Sequence, residues 1–128
     1  MKKLIQSSQD IFGMSRAGYS GNLEVYVNTD DGGNIPHFHL RDKVDWDKFH
    51  SCIKILTPEY FEHAGKEDKL DSKQRKELSH FMNSSVSNKR YADKFDNNWQ
   101  LVCFLWDINN SAFEIPEGAE MPDYRQLH

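Results

Sequence analysis

Apolar and polar residues alternate along Leu23, Glu24, Val25, Tyr26, Val27 and Asn28, the period of two that marks a half-buried strand. The run TDDGGN behind it is turn chemistry, with Asp and Gly supplying side-chain-capped and positive-φ conformations. A second strand is predicted over 36–41, with Pro36 at its first residue, where a strand tolerates one. A third follows over 49–56, FHSCIKIL, ended by Thr57 and Pro58, and 59–63, EYFEH, reads as a short fourth before a turn at Gly65. From Asp71 the period changes. Asp71 and Gln74 have the spacing of a capping box, and Leu78, Phe81 and Met82 recur at helical intervals, so a helix is predicted over Ser72–Asn83. Trp99, Val102, Cys103 and Trp106 predict a second helix. Leu101, Phe104, Leu105 and Ile108 widen its apolar stripe until the helix must pack on two sides. Asn109 and Asn110 suit its exit, and 111–128, with Pro116, Gly118 and Pro122, reads as an extended arm.

Strands first and helices second define an α+β fold in a single domain. An antiparallel sheet of three to four strands is expected in 22–63, helices in 71–110 and the C-terminal arm in 111–128. Short links between successive strands favour antiparallel neighbours. Residues i and i+2 of a strand share a face, roughly 7 Å apart. The apolar face is then Leu23, Val25 and Val27, then Phe38 and Leu40, then Phe49, Ser51, Ile53 and Ile55. The other side collects Glu24, Tyr26 and Asn28, then His37, His39 and Arg41, then His50, Cys52 and Lys54. Alternation alone therefore predicts one polar face rich in histidine, on condition that no strand slips by a residue.

Composition supports a core without staples. A domain of 128 residues buries roughly two-thirds of its unfolded surface, and eight Phe, five Tyr and three Trp supply large buried areas. Cys52 and Cys103 form no C-x-x-C pair, which suits a reduced, intracellular chain. No apolar signal core follows Lys2 and Lys3, and no apolar run reaches membrane-spanning length, so the expected location is cytoplasmic and no membrane is involved. A net charge of -4 argues against broad, charge-driven nucleic-acid binding. The Lys-rich stretch KLDSKQRK reads as a solvated helix face, and Asp42, Asp45 and Asp47 as a solvated connection.

The polar face supports three kinds of work. As a binding surface for a macromolecular partner it offers His37 and His39 with Tyr26, His50, Cys52 and Lys54. As a metal-independent ribonuclease or phosphodiesterase it would use His37 and His39 as acid and base, with Arg41 or Lys54 stabilising developing charge. As a metal site, His37, His39 and His50, joined by Cys52, would hold zinc or another divalent ion; the other two readings need no cofactor. A Cys52 nucleophile paired with His39 or His50 lacks an identifiable orienting group at this level. The H-x-H also resembles the histidine-triad nucleotide hydrolases, but Arg41 stands at the third position and the motif lies too early, so that match is rejected. His63, His80 and His128 carry no motif.

One family fits the order of elements. The strand NLEVYVN, the stretch PHFHL, the strand CIKIL and the helix LDSKQRKELSHFM are similar to a family of short bacterial proteins of unknown function. That family carries a Pro-Pro-His-Phe-His-Val motif and is often encoded beside a small partner in arrangements that look like toxin and antitoxin pairs. Pro36, His37, Phe38 and His39 match the motif, while Ile35 and Leu40 replace its first proline and its valine. The resemblance covers about 22–82. It implies a bacterial or phage interaction module with a protein partner, with RNA and a homodimer as the alternatives.

Overall fold

The computed structural model describes residues 14–29, 34–62 and 67–128. The described residues build four strands, β1 (Met14–Ser20), β2 (Leu23–Asn28), β3 (His37–Asp42) and β4 (His50–Lys54). Two helices follow, α1 (Ser72–Asn83) and α2 (Asn98–Asn109). The strands form one antiparallel meander in the order β1-β2-β3-β4, the α+β arrangement expected from the sequence. Most of the TDDGGN turn, together with Gly65 and His63, lies outside the described residues.

The register is the one alternation demands. Val25 pairs with Leu40 and Leu40 with Ser51, while Tyr26 pairs with His39 and His39 with Cys52. Leu23, Val25, Val27, Phe38, Leu40, Ile53 and Ile55 are buried in the core with Leu78, Phe81 and Met82 of α1 and Leu101, Val102, Leu105 and Trp106 of α2. Phe104, on another side of α2, packs against Tyr91 and Phe95 in the link between the helices. The broad stripe of α2 is thus used on two sides, as its width requires.

Three features depart from the sequence expectation. β1 was not foreseen. Its buried positions are Ser15, Ala17, Gly18 and Ser20, small residues that give no hydrophobic rhythm, and its register shifts between Arg16 and Gly18, so Ala17 forms a bulge. A Cβ on Gly18 would lie 2.8 Å from Cε1 of Phe81, so glycine lets α1 approach the sheet there. The strand expected over 59–63 reduces to a single bridge between Ile53 and Tyr60. The third strand is trimmed to His50–Lys54: the Ile55 N–H still bonds the opposing Pro36 carbonyl, but proline has no N–H to return, and the Ile55 carbonyl accepts instead from side chains of α2 and the C-terminal arm.

The C-terminal arm docks on its own chain. Tyr124 is fully buried, edge-on to Phe38, and its hydroxyl donates to the Ile55 carbonyl at 2.8 Å. Burial pushes its phenol far above the ordinary range. The backbone N–H of His128 donates to the Pro58 carbonyl, and that of Tyr60 to the His128 carbonyl. Among the described residues no helix is long and apolar enough to cross a membrane.

Candidate metal centre

The β2-β3-β4 register lays Tyr26, His39 and Cys52 in one row across the sheet and Glu24, Arg41 and His50 in the next. Directly opposed side chains on one face stand about 5 Å apart at Cβ, so His39 and Cys52 meet, and His50 reaches them diagonally. Nδ1 of His39 lies 3.1 Å from Nε2 of His50 and 3.1 Å from Sγ of Cys52, and the last two atoms are 4.0 Å apart. All three fall within 4.8 Å of one another. A tetrahedral zinc ion with ordinary bond lengths separates two imidazole nitrogens by about 3.3 Å and a nitrogen from a thiolate by about 3.6 Å. The observed nitrogen–nitrogen distance, 3.1 Å, is slightly shorter than the first value, and the two nitrogen–sulfur distances, 3.1 and 4.0 Å, lie on either side of the second.

Around this triangle the rings are stacked. The Tyr26 ring lies on His39 with centroids 5.1 Å apart and planes 20° apart. The Arg41 guanidinium sits 4.4 Å from the centroid of Tyr26 and 3.6 Å from that of Trp46. At the far side of His39, Nε2 meets Nδ2 of Asn28 at 3.3 Å. Asn28 is itself held from behind, because its carbonyl accepts from Nδ2 of Asn110 at the end of α2.

Other candidates sit elsewhere. His37 points into a separate environment: its ring stacks on Phe61 at 4.0 Å, and Nδ1 lies 2.9 Å from the Ile35 carbonyl oxygen. Its ring lies 5.3 Å from that of His39, but it is not part of the ligand triangle, so the expected His37, His39, His50 set becomes His39, His50 and Cys52. Arg41 is paired with Glu24, and Lys54 with Glu59 at 3.0 Å. Both cations wanted for phosphoryl chemistry are therefore committed to carboxylates. Asp42 and Asp45 accept from backbone N–H groups of their own loop, which holds the Asp42 carboxyl below its usual range.

Burial varies across the face. Cys52 is 0% exposed and His39 3%, with Tyr26 and His37 buried as well. His50, Lys54 and Arg41 of the same face are half-buried; among the described residues the most exposed large apolar groups are Val44 and Trp46 on the β3–β4 link. Cys52, His39 and Asn28 also have the order of a thiol nucleophile, its base and an orienting amide, the third group that sequence reasoning missed. The Cys52 sulfur is fully buried, and His50, half-buried, stands beside it. Alternation had already put Asn28 on this face, and that was the one available signal of its role. Comparison of the chain with family models, with curated proteins and with solved structures finds no match.

Proposed function

We propose that the protein binds a divalent transition-metal ion of the zinc class through Nδ1 of His39, Nε2 of His50 and Sγ of Cys52. The observation that carries this reading is the spacing of the three ligand atoms, 3.1, 3.1 and 4.0 Å, on two hydrogen-bonded strands. Two imidazoles and a thiolate are borderline-to-soft donors. They favour zinc, cobalt or copper over magnesium, calcium or manganese, which prefer oxygen. Held at this point, the ion cross-links β3 to β4 from within a buried face.

Metal content of untagged protein, grown with added zinc and purified without chelator, tests the reading. About one ion per chain is expected in the native protein and about a tenth of that in Cys52→Ser and His50→Ala. Wild-type protein that is folded and carries no zinc, copper, cobalt, nickel or iron would refute it.

A further inference from the structure

We propose that Asn28 is a positioning residue of this centre: its side-chain amide serves His39 in either ring tautomer and hands Nδ1 to the metal. The proposal rests on the metal reading above. As the amide stands, Nδ2 of Asn28 lies 3.3 Å from Nε2 of His39, the contact of an amide donor with a ring whose proton is on Nδ1. Coordination through Nδ1 requires the opposite tautomer. The proton leaves Nδ1, Nε2 gains one by exchange with water, the Cys52 thiol gives its proton to solvent, and Nε2–H then needs an acceptor. Rotation of the Asn28 amide by half a turn presents Oδ1 at the same place. An amide carries both a donor and two acceptor lone pairs, so this one side chain satisfies both states, whereas a carboxylate satisfies only the second and an apolar group neither.

The setting suits such a part. Asn28 ends β2, one row beyond the Tyr26–His39–Cys52 row. Its backbone is fixed independently of its amide: Nδ2 of Asn110 donates to its carbonyl at 3.1 Å, and Oγ1 of the next residue, Thr29, donates to Oδ1 of Asn109 at 3.0 Å. The end of α2 therefore holds the strand end in place. Tyr26, stacked on the face of His39, limits ring rotation, so the hydrogen bond at Nε2 governs which nitrogen points at Cys52 and His50.

The test uses the full chain with zinc alone as probe, in competition with a chelator of known affinity, on wild type, Asn28→Leu and Asn28→Asp. Outer-shell partners of metal-bound histidines typically contribute about 10–100-fold in affinity, and that loss is expected for Asn28→Leu. Asn28→Asp should bind at least as tightly as wild type, the rescue that a merely structural role would not give. Nitrogen chemical shifts of the His39 ring should show the Nδ1–H form without zinc and the Nε2–H form with it. Unchanged affinity in Asn28→Leu, or zinc-loaded wild type that keeps the Nδ1–H form, overturns the role of Asn28 and leaves the metal site standing. If Asn28→Leu does not fold, the aspartate variant and the ring shifts decide alone: weaker binding by Asn28→Asp together with the Nδ1–H form counts as refutation. Wild type that binds no zinc removes both proposals at once.

Discussion

The two cysteines show how much of a residue's chemistry is set by its neighbours. Cys52 faces two imidazoles, whereas Cys103, on α2, faces the carboxylate of Asp107 from within a largely buried site. Burial first, and that carboxylate second, push the Cys103 thiol up to about 12. A group so raised is protonated at ordinary pH, and only the thiolate is nucleophilic. At pH 8 the native protein should be alkylated at Cys103 on the order of a hundredfold more slowly than a free cysteine. Asp107→Asn should quicken the reaction, because removing the negative charge eases ionisation. Peptide mapping after timed iodoacetamide treatment measures both, and labelling of Cys103 at the free-cysteine rate would contradict this account. The meeting of His39 and Cys52 followed from alternation, since opposed positions share a face. The partnership of Asn28 with Nε2 did not: alternation puts Asn28 on the same face, but which ring it meets one row away depends on side-chain rotamers that leave no trace in the chain.

At the scale of elements, both ends of α1 and the exit of α2 were legible and their packing partners less so. Asp71 accepts from the backbone N–H of Gln74, whose side chain accepts from the backbone N–H of Asp71, the reciprocal pair that the spacing implied. Asp71→Ala should lower stability by about 1 kcal/mol in a urea titration, with Asp71→Ser recovering most of it. No change in midpoint on the alanine substitution would show that tertiary packing alone holds the first turn. The end of α1 at Asn83 was legible, but the long-range partner of its last turn was not. Its Phe81 carbonyl accepts from Nδ2 of Asn98 at 2.8 Å, a residue seventeen positions on. β1 was hidden for a related reason: close packing against α1 selects small residues there, and small residues do not alternate in hydropathy.

For the whole molecule, the proposed ion and the docked C-terminus act on the same sheet from different places. Metal that binds only the folded state stabilises it by mass action, about 2.7 kcal/mol when free ion stands at a hundred times its dissociation constant. For a domain of this size that corresponds to a rise in Tm of roughly 10 °C. Scanning calorimetry should show this rise with zinc in the wild type, its reversal by chelator and its absence in Cys52→Ser. Equal shifts in wild type and Cys52→Ser would place the ion elsewhere. The arm contributes separately through Tyr124, which donates to the Ile55 carbonyl just past β4 at 2.8 Å, beside the 3.2 Å bond that Trp99 of α2 makes to the same oxygen.

The sequence by itself determined what is local and periodic: the α+β order, the faces of three strands and the cap of α1. With them came the gathering of Tyr26, His39, His50 and Cys52 on one side of a sheet. Side-chain period and capping geometry act over a few residues, so they leave marks a reader of the chain can follow. Only the tertiary structure decided what needs distances across the fold. It turned His37 away onto Phe61 and closed His39, His50 and Cys52 into a triangle that fits a metal ion. It also buried two of the three ligands, His39 and Cys52, left His50 half-buried, and set Asn28 behind them. Which polar side chains converge depends on twist, burial and the clamp from the end of α2, and those are properties of the packed molecule rather than of any stretch of sequence.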